Sequence, residues 1–493
     1  MMMKKRYSKY EVIFFILIGI VTFMIGAWTI RDDFYFLFDD IAWLKEVKFN
    51  FDVTEFFQIL PTSRYNDRPL RTFFFWCIYQ MFGLNYTAYY LIVLLWHVVD
   101  TYLVLILTFN ILELIDKRKE NVTKSYICAL FFGIYPKNLM AVYWIAGAAN
   151  DLLCTFFSLL TMLCYSFYMK NRKAYMAIIG ALVFYVCAMR SKEAAICLPL
   201  IILIFEYYNS VVKNEKRKVY IGNIILLCYM VIYLVTLLRL PAGLTTDGQY
   251  KWDFSPLTII KVLLNYIRMY FGLDDGSFSY QINDYYTKLG NVGVVICAII
   301  FSILIARLLL KRDVKKNFGF LLIGIAVGLS MAPLLVLPNI QHLLYFYFPA
   351  VFLSMFFGLI LYDVATSIFK WKYAGKVTLC ALLVLLIWVN NIGGAKRIRE
   401  SFIHWGEEAL STVKDIEYIE KVPANTTVYL YGANTGANVF NYSPGYIVNI
   451  LYEDDTIKTI LADEATTYKK PYVVWYYSNG HVQEIERMVE CDE

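Results

Sequence analysis

Long apolar runs separated by short polar stretches organise this chain. Runs of roughly 17 to 22 apolar residues match the length a helix needs to cross a hydrocarbon core at about 1.5 Å per residue. They predict spans near Val12–Ile30, Tyr86–Leu112, Tyr126–Tyr143, Leu152–Tyr168, Ala174–Met189, Ala194–Tyr208, Tyr220–Leu238, Val292–Leu310, Phe318–Leu335, Tyr345–Leu361 and Val377–Val389, about eleven in all. Val12 to Ile30 carries no charge and lacks a small-residue cleavage pattern, so it reads as a retained first helix and not a signal peptide. Pro69 to Trp76 reads as a short amphipathic helix lying in the interface. After the last apolar run the pattern changes: an amphipathic helix near Arg399 to Ile419 precedes β-like runs at Thr427–Tyr431, Tyr446–Tyr452 and Tyr472–Tyr477. The last of these ends in the turn signal Ser478-Asn479-Gly480. The expected architecture is an all-α polytopic bundle over residues 1–394 with a small α/β domain over 395–493.

Composition agrees, since 59% of the residues are hydrophobic and only 17% charged, against about a quarter charged in soluble domains. The net charge of +6 hides an asymmetry: the last 99 residues carry a balance of −7, which leaves +13 on the membrane part. Basic clusters at Lys4-Lys5-Arg6, Lys117–Lys119, Lys170–Lys173, Lys213–Lys218, Lys311–Lys316 and Lys370–Lys376 recur at every second connection. Topology explains them, with no need for a nucleic-acid partner, and by the positive-inside rule they put the N-terminus in the cytoplasm. An odd number of spans then puts the C-terminal domain outside, although Lys396, Arg397 and Arg399 just after the last span pull the other way. The first loop (31–85) and a long loop (240–290) fall on the outer side as well. The ten cysteines lie mostly in apolar runs without metal-binding or disulfide spacing, and read as small hydrophobes.

Charged residues on that outer side carry the candidate chemistry. Asp39 and Asp40 are adjacent carboxylates where the chain leaves its first span, and like charges so placed are poor devices for stability. They suit a general base; the plain alternative is a solvated pair that caps a short helix. Asp151, near the start of the fourth span, either faces the same cavity or serves as a helix cap. Arg190-Ser191-Lys192-Glu193 separates two spans with almost no loop. Its cations suit a leaving phosphate with Glu193 as their orienting partner, the alternative being an internal salt bridge. Arg64 and Arg68 add charge in the first loop, and His342 with Gln341 adds polar groups before the tenth span. His97 and Asp100, three residues apart on one helical face, are expected to satisfy each other or a neighbouring helix. No glycine-rich phosphate loop, nucleotide-binding motif, catalytic Ser/His/Asp order or Cys/His metal spacing occurs.

Phe38-Asp39-Asp40-Ile41, Asp67-Arg68-Pro69-Leu70, Trp144-Ile145-Ala146-Gly147 with Asp151, and Arg190-Ser191-Lys192-Glu193 follow one another in an order and spacing that resembles the GT-C membrane glycosyltransferases. The likeness is greatest to the protein O-mannosyltransferase and TMTC-like branch, and covers about the first 210 residues. It implies an inverting transfer of a sugar, a mannose-like hexose or another, from a polyprenyl-phosphate donor to an acceptor hydroxyl outside the cell membrane. In this comparison Asp39 takes the place of the base, with Asp40 and Asp151 beside it. Arg190, Lys192, Glu193, Arg68 and His342 would then surround the donor phosphate. Some relatives hold a divalent metal through acidic residues of the first loops, whereas the mannosyltransferase branch does without one, so no cofactor is required here and a divalent metal stays the less favoured alternative. The short acidic tail departs from the helical repeats of TMTC-like proteins, and protein, lipid and glycan acceptors all stay open. The rival readings are a transporter or flippase for a lipid-linked glycan, which would place ionisable groups mid-membrane in repeated halves, and a non-catalytic membrane scaffold.

Overall fold

The computed structural model describes residues 9–27, 34–63, 67–115, 117–171, 173–212, 221–240, 251–271, 279–280, 302, 314–368, 373–391, 393–433, 439–440 and 445–489. Over these residues it is a helical bundle followed by a small four-stranded sheet. Among the described residues six helices are long and apolar enough to cross a membrane: Tyr86–Ile115 (α4), Ile145–Lys170 (α7), Glu193–Ser210 (α9), Ile221–Arg239 (α10), Phe318–Leu335 (α12) and Leu343–Ser367 (α13). The number rises to eight if each of two bent pairs is one span. Two shorter apolar helices, Glu11–Gly26 (α1) and Tyr175–Ser191 (α8), also coincide with expected spans. The expected span Val292–Leu310, most of the 240–290 loop, Arg64, and the basic clusters Lys4–Arg6, Lys213–Lys218 and Lys370–Lys372 lie outside the described residues, as do Lys311 and Arg312.

The first bent pair shows how sequence sets the path to the site. Asn121–Ile134 (α5) meets Pro136–Tyr143 (α6) at 48°. Pro136 removes a backbone donor and forces Tyr135 into extended geometry at φ −63°, ψ 127°. The carbonyls freed by the break are recaptured by side chains: Asn138 donates to Phe132 O at 2.8 Å, His97 Nε2 lies 3.0 Å from Gly133 O, and Asn390 donates to Ile134 O at 2.7 Å. His97 and Asp100 are joined through Tyr347, whose hydroxyl is 2.7 Å from His97 Nδ1 and donates to Asp100 at 3.2 Å. The break turns the chain back so that α7 starts beside the first loop.

In that loop Asp39–Lys45 (α2) and Pro69–Phe82 (α3) are the short helices that carry the charged motifs. The C-terminal domain follows Ala374–Asn390 (α14) and the amphipathic helix Gly393–Tyr418 (α15). Its sheet has the order β2-β1-β3-β4, where β1 is Thr427–Tyr431, β2 Lys458–Leu461, β3 Tyr472–Ser478 and β4 His481–Met488. β1 pairs in parallel with β2 and β3, and β3 runs antiparallel to β4. The β3–β4 turn has positive φ at both Asn479 (49°) and Gly480 (85°), the twist a tight hairpin needs.

The expected strand Tyr446–Tyr452 is instead a helix, Gly445–Tyr452 (α16). Ile447, Val448, Ile450 and Tyr452 are buried there, so a short apolar run reads as strand by composition yet packs with helical spacing. This helix docks on α2: Lys45 pairs with Asp455 at 2.5 Å, and Lys48 pairs with Glu453 at 3.0 Å while donating to Ile450 O at 2.9 Å. The C-terminal domain and the first loop therefore sit at the same end of the bundle.

Candidate active site

The site begins at Phe38, whose backbone is held at φ 49°, ψ −120°. A bulky residue at positive φ costs of order 1–3 kcal/mol, and here two edge-on ring contacts retain it, to Trp144 (6.0 Å) and Trp405 (5.5 Å). The resulting turn starts α2 with Asp39 and Asp40 in its first turn, where the helix dipole favours negative charge.

The two carboxylates have different surroundings. Asp40 is buried, and its oxygens accept from the amides of Leu37 (3.0 Å) and Ala146 (2.6 Å). Trp144 gives α7 no side-chain cap, so Asp40 supplies one from 106 residues away. Burial pushes the Asp40 carboxyl up to about 8, partly opposed by those two amides and reinforced by Asp39. Asp39 is half-buried.

Raised proton affinity in the folded state has a consequence for stability. The contribution of Asp40 is fully present below its ordinary value near 3.8 and is lost as pH rises through about 8. Thermal melting of the purified full chain is expected to show roughly 2 kcal/mol of destabilisation between pH 6 and 8 that Asp40→Asn removes. An unchanged pH slope in Asp40→Asn would exclude Asp40 as its source.

Three ion pairs surround the carboxylates. Arg190, 2% exposed at the end of α8, grips Asp67 with both Nη atoms, at 3.2 and 2.8 Å. Asp67 also accepts from the backbone of Thr62 (2.5 Å) and Ser63 (3.3 Å). Burial pushes the Asp67 carboxyl up, but Arg190 and these amides outweigh it and hold the group below the usual carboxylate range. Lys192 sits 2.7 Å from both oxygens of Asp151, in the second turn of α7, and 3.9 Å above the Tyr345 ring. Arg68 pairs with Glu193 at 3.4 Å. Glu193 was expected to orient Arg190 and Lys192; it belongs to Arg68 instead, because the 3-10 turn Glu193–Cys197 redirects the chain after Lys192. Asp151, for its part, has Lys192 as its partner and does not cap α7, which starts at Ile145.

His342 lies edge-on to Tyr345 at 5.3 Å, and burial, aided by the charge of Lys192, holds its imidazole down at about 4. It is therefore a neutral neighbour of the Lys192–Asp151 pair. All eight expected site residues thus lie in or beside one cluster at the end of the bundle that carries the C-terminal domain. Among the described residues no group of three or more His, Cys, Asp or Glu side chains is placed to hold a metal ion. The cluster also includes residues that motif reading passes over: Asp67 and Tyr345 as partners, and Arg71, which is 1% exposed with its guanidinium 3.0 Å from the centroid of the Trp43 ring. The available signal for Arg71 was its position as the lone charge in the otherwise apolar and aromatic α3.

No protein-family model matches the chain, and no curated protein matches it. Solved structures do. An oligosaccharyltransferase of Archaeoglobus fulgidus, tethered with an acceptor peptide, superposes with a TM-score of 0.49 at 10% identity, over 93% of this chain and 64% of that one. ArnT from Cupriavidus metallidurans, bound to undecaprenyl phosphate, gives 0.49 at 11% identity over 93% of this chain and 87% of that one. The chain thus spans somewhat less than two thirds of the oligosaccharyltransferase.

Proposed function

We propose that this chain is a multi-pass glycosyltransferase that moves a sugar from a polyprenyl-phosphate donor to an acceptor hydroxyl at the outer membrane face. One observation carries the reading. Three short motifs, far apart in sequence and each weak alone, interlock through Asp67–Arg190, Asp151–Lys192 and Arg68–Glu193, and Asp40 joins the fourth to them by accepting from the Ala146 amide. Their order is what resembles the GT-C enzymes, with the protein O-mannosyltransferase and TMTC-like branch nearest.

In this reading Asp39 takes the proton of the acceptor hydroxyl while the oxygen attacks the anomeric carbon from the side opposite the phosphate. The anomeric carbon–oxygen bond breaks with inversion, and its electron pair leaves on the lipid phosphate, which gains a negative charge. Fixed cations suit that moment because they need no reorganisation as charge develops. Arg190 fits the role: its Nη atoms are held by Asp67, and its buried Nε–H has no partner among the described residues. Lys192 stands beside it, aligned by Asp151. Asp40, held by two backbone amides, positions α2 and does not itself react. No metal enters the mechanism, and the acceptor is a protein, lipid or glycan hydroxyl.

The test is mass spectrometry of lipid-linked sugars and surface glycans from cells with the wild-type gene, with Asp39→Asn at equal protein level, and without the gene. The expected result is that Asp39→Asn matches the deletion, with one polyprenyl-phosphate sugar accumulating and one surface residue lost. An Asp39→Asn profile equal to wild type, with the deletion altered, overturns the reading in favour of transport or scaffolding.

A further inference from the structure

Arg71 is a charge that the proposed mechanism does not use, and its burial needs a cause. A guanidinium stays protonated in proteins, so burying one is costly unless a carboxylate compensates it. The neighbouring carboxylates are largely committed: Asp67 to Arg190, Asp151 to Lys192, Glu193 to Arg68, and Asp40 to two backbone amides. The geometry brings Arg71 to Asp39. Asp39 and Trp43 are four residues apart on α2 and so share a face about one turn apart. Arg71, on α3, lies over that same Trp43 ring. We propose that Arg71 is the positioning residue for Asp39, fixed on Trp43 so that its charge keeps the Asp39 side chain a carboxylate.

This deepens the glycosyl-transfer reading and rests on it, since a base must be unprotonated to accept a proton. The other charges here are Asp40, adjacent to Asp39 and repelled by it, and Arg68, Glu46 and Glu193, which together with Asp39 act on Arg71. Lys45 at the end of α2 and Lys48 in the turn after it face the C-terminal domain and are taken by Asp455 and Glu453. Arg71 comes from another helix and is held over a ring of the helix that carries Asp39.

The test needs no sugar. Infrared titration of the full chain in lipid nanodiscs follows the carboxylic-acid band, and the component absent from Asp39→Asn belongs to Asp39. In Arg71→Gln that component is expected to titrate about one pH unit or more above wild type, a tenfold change in proton affinity. Arg71→Lys, which keeps the charge, is expected to stay near wild type. An Asp39 component that titrates in Arg71→Gln where it does in wild type overturns the proposal. Should Arg71→Gln fail to fold, Trp43→Leu removes only the ring that fixes the guanidinium; an upward shift sustains the proposal and an unmoved titration overturns it. Because no transfer is assayed, the glycosyltransferase reading can fail while this result stands, and the reverse.

Discussion

Asp39→Asn is expected to slow sugar transfer by about 10²–10⁴-fold, the usual contribution of a positioned base, while leaving the thermal melt close to wild type. Asparagine matches the shape of aspartate and is also accepted near a helix start, but it cannot take a proton. The half-buried position of Asp39 limits the structural cost, and removing its charge relieves the repulsion felt by Asp40. The assay is single-turnover transfer by purified protein, with lipid-linked donor extracted from cells that lack the gene. Full activity in a well-folded Asp39→Asn protein would remove Asp39 from the chemistry.

Lys192→Met acts on stability as well as on transfer. Lys192 and Asp151 are both buried, 5% and 2% exposed, at 2.7 Å through both carboxylate oxygens. Removing one partner strands the other charge away from water, which costs roughly 3–5 kcal/mol, whereas replacing both with apolar groups of similar volume is often near neutral. The single variant should therefore melt far below wild type, and Lys192→Met/Asp151→Leu should recover most of the loss, a strong coupling between neighbours. Transfer should stay low in both, because the cation is gone from both. Recovery of transfer in the double variant would show that Lys192 serves only to neutralise Asp151.

Much of the bundle is legible in the sequence because a bilayer imposes a length on every apolar run, and Pro136 marks its own bend. The cluster is legible as a set of residue types: ionisable groups at the ends of apolar spans need partners, which singles out Asp39, Asp151, Arg190 and Lys192. Who pairs with whom is not legible. Arg190 reaches back 123 residues to Asp67 while Glu193, three positions on, faces Arg68, and that difference comes from one 3-10 turn after Lys192. Nor does sequence distinguish Asp39 from Asp40, since the amide that claims Asp40 belongs to Ala146, at the start of a helix whose direction depends on the bend at Pro136. The Gly445–Tyr452 helix was hidden because eight residues are too few for a period of two to be told from 3.6.

The grip of Lys48 on the carbonyl of Ile450, 402 residues further along, sets an order of events in biosynthesis. A chain enters the bilayer from its N-terminus, and its domains fold as they emerge. The Asp39 helix is among the earliest segments made, yet the surface it docks on is among the last. A ribosome stalled anywhere in the bundle holds a chain in which Lys45 and Lys48 still lack these partners. The packing of the segment that carries Asp39 and Asp40 is thus completed only after residues 445–455 have been made.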